Sequence, residues 1–381
     1  MFVLLRPVGL ACQMRCGYCY YKSRDRTNAS SSQRMDILVV KKLLDGLLAL
    51  GQDNITICLH GGEPLLIGKQ WFSEFLKLVD KFRIQSNFND VSVAIQTNAT
   101  LIDDEWANLF KHGEVGVSLS IDGPQSIHDF SRHDTQGKGT YNKVVSSINL
   151  LSTKGIHTSA IAVITKKTTE TSVVDFYNFF NEVGLKDIDI TPYIEIGTTE
   201  LETLARYQYE ADVSELAMFL TSLFDQWLFL KDSKDFINIR IFEQTIAVLL
   251  GFIPTVCNMQ QGRSCGKNPS IMPNGDVLAC DLETEQIKLK LGSLLDEDLI
   301  DIISETRLHE LNSFIDRGLK KMGCVNCDLK GICGLTCPRH TFSKRDHTVY
   351  CDLQRQFVQH VKQRLNDIAL RTCNDSVCFP I

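Results

Sequence analysis

Along the first half of the chain, short runs of β-branched and apolar residues alternate with longer stretches in which apolar positions recur every three to four residues. The runs lie at residues 2–5, 55–59, 91–96, 115–121, 158–164 and 188–193 and predict strands. The stretches at 35–50, 71–82, 104–111, 141–151, 172–183 and 213–230 predict amphipathic helices, with Gly, Asn and Asp at the joins. Six strand–helix units predict a parallel sheet, because a helical crossover must return each strand to the same edge. Right-handed crossovers allow a doubly wound sheet or a partial barrel, and periodicity leaves the two open. The polar stretch 23–34 predicts a mobile loop, and 195–203 a second irregular segment. From about Asn238 the alternation fades. A boundary near Phe236 is therefore expected, with residues 1–236 as the α/β body and 237–381 as a second domain. The tail, 353–370, has helical spacing and is expected to pack back on the body.

Composition narrows the class. With 381 residues, 44% hydrophobic and 23% charged, the chain can bury a sizeable core and is not disordered. Its 40 basic and 46 acidic residues give a net charge of −6, which argues against a nucleic-acid partner. No stretch reaches membrane-spanning length, so no membrane association is expected. The first apolar run is interrupted by Arg6 and Pro7 and is too short for a signal sequence, so a cytoplasmic protein is expected. In that compartment 14 cysteines point to metal rather than disulfides. Eight of them fall between Cys257 and Cys351, in the second domain.

Cys12, Cys16 and Cys19 form C-x3-C-x2-C directly after the first predicted strand. Three thiolates on a tight loop suit three irons of a [4Fe–4S] cube and leave the fourth iron open to a small molecule. Zinc is the alternative; it would want a fourth ligand nearby, for which His60 and Cys58 are available. With Tyr18 just before the third cysteine, this pattern resembles the radical S-adenosylmethionine (SAM) superfamily. Further segments fit in order. His60-Gly61-Gly62-Glu63-Pro64 resembles the family's GGEP segment, whose backbone and Glu hold the methionine amino group. Gln96-Thr97-Asn98 ends the third strand. Ser120, in the segment 118–124, matches a SAM-contacting position, and Arg132 matches a carboxylate-contacting arginine. The resemblance implies a partial (β/α)6, TIM-like barrel, with Tyr18, Gly61, Gly62, Glu63, Ser120 and Arg132 at the cofactor. These segments sit at C-terminal ends of predicted parallel strands, where such sheets bind ligands. Gly61 and Gly62 would let the backbone approach a ligand closely. His60 is expected to be a satisfied core histidine without a catalytic role.

The second cysteine set, Cys265-x9-Gly275-x4-Cys280 followed by Cys324-x2-Cys327-x5-Cys333-x3-Cys337 and then Cys351, resembles the SPASM extension of radical SAM peptide maturases. Cys257 supplies an eighth thiol. On spacing alone, 324–337 could also be a small zinc knuckle. The resemblance implies a SPASM domain with two auxiliary [4Fe–4S] clusters, one held by Cys257, Cys265, Cys280 and Cys337, the other by Cys324, Cys327, Cys333 and Cys351. Three clusters and SAM are the cofactors expected in all. Cys58 is expected to pack in a strand; Cys373 and Cys378 have no assigned role.

By this resemblance an electron from the first cluster cleaves SAM, and the 5′-deoxyadenosyl radical takes hydrogen from a substrate carbon. The substrate radical then loses an electron, for which the auxiliary clusters are suited, and a proton. Asp281, directly after Cys280, matches the proposed base of anaerobic sulfatase maturases, and Tyr21 a substrate-contacting position; Asn98 is a further candidate at the substrate. Two substrate readings follow. The preferred one is a precursor-peptide maturase that closes an intramolecular cross-link of the cyclophane type, suggested by His60 before the glycines and Ala99 after Asn98. The alternative is a sulfatase maturase that oxidises Cys or Ser to formylglycine. A third, from another class, is an iron–sulfur electron-transfer protein without radical chemistry. A flavodoxin- or ferredoxin-type electron donor is expected. Because Cys12 lies so close to the start, no separate peptide-recognition domain is expected ahead of the barrel.

Overall fold

The computed structural model describes residues 1–21, 33–52, 54–86, 90–194, 200–255, 257–260, 265–281, 290–333, 337 and 348–375. The first half builds β1 (Phe2–Leu5), α1 (Ile37–Leu50), β2 (Asn54–Leu59), α2 (Lys69–Ser86), β3 (Asp90–Thr97), α3 (Asp104–His112), β4 (Gly116–Ser120), α4 (Gln125–Ser131), α5 (Tyr141–Thr153), β5 (Thr158–Ile164), α6 (Lys166–Thr169), α7 (Val173–Glu182) and β6 (Asp187–Pro192). Next come α8 (Glu200–Tyr209), α9 (Val213–Phe229), β7 (Asn238–Ile239), α10 (Arg240–Leu249), β8 (Ser270–Ile271), β9 (Asp276–Leu278) and β10 (Lys290–Ser293). The chain closes with α11 (Leu299–Ile302), α12 (Glu305–Lys321) and α13 (Thr348–Asp375).

All six predicted strands form. Residues 200–203 of the segment expected to be irregular belong instead to α8; 195–199, most of the expected loop at 23–34, and Cys378 lie outside the described residues. Local capping explains several helix starts. Asp36 accepts from Leu38 N at the head of α1, Asp103 from Trp106 N at α3, and Asp212 from Ser214 N at α9.

Strands β1 to β6 are parallel neighbours in chain order. A doubly wound sheet would reverse that order at a switch point. Without a reversal, right-handed crossovers place every helix on one face, and the sheet curls into a partial barrel. β1 takes β8 on its outer edge and β6 takes β7, so the sheet runs β10-β9-β8-β1-β2-β3-β4-β5-β6-β7. Strands from beyond the boundary expected at Phe236 thus flank the barrel on both sides.

Between sheet and helices lies an aromatic core. Phe72, Phe75, Trp106 and Phe110 join α2 to α3, while Phe224, Trp227, Phe242 and Phe357 join α9, α10 and α13. The tail helix α13 packs on the body as expected, and a polar clamp fixes it. Asp225 of α9 accepts Arg364 Nε at 2.7 Å and Nη2 at 2.6 Å, and pairs with His360 Nε2 at 2.8 Å. Partial burial pushes the Asp225 carboxyl up, but the bonds from Arg364 and His360 outweigh it and hold it below the usual range. A carboxyl with a lowered folded-state pKa stabilises above its unfolded pKa and loses that contribution as pH falls through the folded one. Asp225→Ala should cost about 1–2 kcal/mol at neutral pH. Thermal melts should show the gap from the parent closing below about pH 3.

Candidate active site

The cysteine loop leaves the C-terminal end of β1 and is held by backbone bonds to the end of α4. Arg15 N donates to His133 O at 2.8 Å and Gly17 N to Ser131 O at 2.7 Å. Gly17 is required here, since a Cβ would lie 1.8 Å from the hydroxyl of Tyr209. Cys12, Cys16 and Cys19 are partly exposed thiols outside any disulfide, near enough to act on one another electrostatically. Burial pushes the Cys12 thiol up to about 12, so its thiolate needs positive charge beside it. Met14 N at 3.4 Å and Asn98 Nδ2 at 3.7 Å both donate to Cys12 Sγ, the outer-sphere pattern of a metal-bound thiolate. Among the described residues no three His, Cys, Asp or Glu side chains converge on one point, as a single zinc ion requires. A cube takes each thiolate on a different iron, and the loop fits that group. Cys58 is buried in β2, as expected.

The segment after β2 departs from expectation in two ways. Gly61 and Gly62 approach the chain itself rather than an open ligand surface. Gly62 N donates to Gly9 O at 2.9 Å and Glu63 N to Ala11 O at 2.8 Å. A Cβ on Gly62 would sit 2.1 Å from Ala11 O, a backbone atom that cannot step aside. Gly62→Ala should therefore displace the cysteine loop and lower the iron retained after reconstitution, read as iron per chain. Secondly, the Glu63 side chain, expected at the methionine amino group, is 0% exposed. Its Oε1 accepts Leu65 N at 3.0 Å and Thr97 Oγ1 at 2.8 Å, and Oε2 accepts Asn98 N at 2.8 Å. Burial raises its carboxyl to about 7 despite those bonds. Glu63 ties the end of β2 to the end of β3, so its contribution at a cofactor runs through the backbone it fixes.

Asn98, a candidate at the substrate, is likewise spent on the chain. Its Oδ1 accepts Gln13 Nε2 at 3.2 Å and Thr100 N at 3.0 Å, while its Nδ2 faces Cys12. Ala99 follows at φ 64°, the left-handed region that glycine occupies without strain. Ala99→Gly relieves that strain but removes a fully buried methyl, so its net effect should lie within about 1 kcal/mol of zero, measurable as a nearly unchanged melting temperature.

At the end of β4, Ser120 Oγ accepts Gln96 Nε2 at 3.1 Å. Asp122, to which the sequence reading gave no role, is the hub. Its Oδ2 accepts Tyr18 Oη at 2.6 Å and Arg132 Nε at 3.0 Å, and its Oδ1 accepts Val163 N at 3.0 Å. Arg132 also lies over the Tyr18 ring at 5.4 Å, and Tyr193 and Tyr209 pack round that ring. One edge of the Arg132 guanidinium is thus fixed by a buried carboxylate, which orients the remainder. The available signal was the charge itself, an acid at the end of an apolar strand.

Across the barrel mouth, Asp281 follows Cys280 just beyond β9. Tyr20 Oη donates to Asp281 Oδ2 at 3.1 Å and stands 3.0 Å from Tyr21 Oη. His60 Nδ1 lies 3.9 Å from Asp281 Oδ2. That nitrogen is buried and has no hydrogen-bond partner among the described residues, so His60 Nδ1 is not satisfied as a core histidine's would be. Burial, aided by the charge of Arg6 and opposed by Asp281, holds its pKa below the ordinary value. The fold therefore brings Tyr21 and Asp281 together, with Tyr20, His60 and Arg6 beside them.

Among the described residues the later cysteines fall into two neighbourhoods. Cys265 feels the charges of Cys337 and Cys257, and Gly266 N donates to Ala279 O at 3.1 Å, drawing Cys265 toward Cys280. Cys324, Cys327, Cys333 and Cys351 line one cavity with Arg355, whose Nη2 is 3.6 Å from Cys327 Sγ.

Comparison with known proteins agrees with this geometry. Residues 7–180 match the family model described as the radical SAM superfamily. A serine-type anaerobic sulfatase-maturating enzyme of Bacteroides thetaiotaomicron is 29% identical over 379 residues, covering 95% of this chain and 89% of that protein. A cysteine-type enzyme of Clostridium novyi is 28% identical, covering 96% of each. The solved structure of native anSMEcpe with bound AdoMet superposes with a TM-score of 0.81 at 25% identity, over 96% of this chain and 98% of that one. Residues 7–180 are a radical SAM domain, a cysteine-rich region follows it, and the chain is an enzyme similar over nearly its whole length to sulfatase-maturating enzymes.

Proposed function

We propose that the protein oxidises a Cys or Ser side chain of a protein substrate to formylglycine. The observation that carries this reading is the cluster of side chains at the ends of β1 and β2. There a carboxylate, Asp281, is held by Tyr20 beside Tyr21 and His60, within the shell of the cysteine loop. Likeness to sulfatase-maturating enzymes over nearly the whole chain supports it. The preference for a cross-linked product, which rested on residues 60 and 99, gives way to that likeness.

Cys12, Cys16 and Cys19 would hold the first cluster, and the eight later cysteines two more. Bound there, the first cluster and SAM supply a carbon radical able to take a hydrogen atom from an unactivated side-chain carbon. The chain's own part is orientation and proton handling. Asp122 fixes Tyr18 and Arg132, and Glu63 fixes the backbone at the ends of β2 and β3. The carboxylate of Asp281 accepts the proton that the oxidised side chain gives up. The barrel wall keeps water from the reacting carbon. Electrons would enter from a flavodoxin- or ferredoxin-type donor.

The test is anaerobic. The protein is reconstituted with iron and sulfide and given SAM, a reductant and synthetic peptides with a central Cys or Ser. About 12 irons per chain and an aldehyde on the peptide support the reading. A peptide lighter by two hydrogens, with fragmentation blocked across a short segment, would replace it with the cross-linking one.

A further inference from the structure

Arg6 follows β1 and is among the largest fully buried side chains, 1% exposed. Among the described residues its Nε, Nη1 and Nη2, all buried, have no hydrogen-bond partner. Its backbone is fixed, with N donating to Ile271 O at 2.9 Å, and Gly61 closes on its Cβ and Cγ. The guanidinium lies 5.0 Å from the centre of the Tyr21 ring, and its charge is felt by both Tyr21 and His60, as is that of Asp281. No carboxylate of the described residues comes within ion-pair distance of it. A guanidinium offers five donors and no acceptor, and burying one unpaired is among the costliest arrangements a fold can hold. His60 Nδ1, in the same cluster and unpartnered among the described residues, repeats the anomaly.

Resting on the peptide-maturase reading, we propose that Arg6 is a substrate-binding residue that takes a backbone carbonyl oxygen of the peptide, with His60 as the second polar contact, and so sets which side chain faces Asp281. A neutral carbonyl suits the site better than a carboxylate, because Asp281 already supplies negative charge there. The peptide reaches the guanidinium by turning aside the Tyr21 ring that covers it, a side-chain rotation on the cysteine loop. This assigns Tyr21 a cover as well as a contact.

The test pairs stability with binding in Arg6→Met and Arg6→Lys. Met matches the length of the side chain without its charge. If Arg6 serves the peptide, Arg6→Met melts at or above the parent temperature, since an unpaired buried charge has gone. It binds the peptide that the parent converts roughly tenfold to a hundredfold more weakly, and makes more 5′-deoxyadenosine per modified peptide. Arg6→Lys, keeping a cation without the fork, falls between. Melting well below the parent with peptide affinity retained would make Arg6 a fold element and overturn the proposal. So would unchanged affinity in Arg6→Met at any melting temperature. Failure of the parent protein to modify any peptide removes the maturase reading itself, an outcome separate from both.

Discussion

Replacing Cys12, Cys16 and Cys19 together by alanine will reduce SAM cleavage to the level of a protein-free control and remove about four of about 12 irons per chain. The loop fits one cube through three thiols that act on one another, while the Cys58 thiol is turned to Leu59 O within β2. The remaining irons should stay, because the later cysteines group among themselves. Iron analysis with 5′-deoxyadenosine quantified by chromatography gives both numbers from one sample. Loss of all iron would show that the two regions load as a unit. Retention of all of it would remove these cysteines from metal binding.

Asp281→Asn is the second large effect. The amide keeps the shape and can still accept from Tyr20, which bonds to Asp281 Oδ2 at 3.1 Å. It cannot take up a proton. Modified peptide should fall by roughly 10²–10⁴-fold, the usual contribution of a positioned base, while SAM cleavage, which precedes proton loss, continues. Peptide mass spectrometry beside 5′-deoxyadenosine quantification separates the two. Equal loss of both would make Asp281 a structural support of the Cys280 loop. Unchanged modified peptide would pass the base role elsewhere, with His60 the nearest candidate.

The six strands were legible because each is a compact apolar run bounded by turn residues, and the barrel rather than the doubly wound sheet followed from strand order, which periodicity does not encode. Residues 200–203 were misjudged because the polar composition of the segment outweighs the weak helical spacing of α8. The cysteines were legible because ligand spacing is local. The orientations of Glu63 and Asn98 were not. Whether a carboxylate faces a ligand or the chain depends on partners such as Thr97 and Gln13, which lie far from it in sequence. His60 was misjudged for the same reason, since its neighbour Asp281 comes from the other end of the chain. Arg6 left a trace, a charge directly after a strand, but the trace reads equally well as the end of an apolar run.

The pairing of β1 with β8 bears on how the molecule is made. Leu4 leaves the ribosome well before its partner Ser270, which emerges only after the rest of the barrel. Until then β1 has β2 on one side and an uncovered row of amide and carbonyl groups on the other, an edge open to pairing with another chain. Contacts so distant in sequence form slowly. The nascent protein therefore passes through a barrel with an exposed edge, beside cysteines not yet joined to metal. Its vulnerable interval runs from the synthesis of β1 to that of β8, and yield should improve when iron–sulfur assembly is abundant.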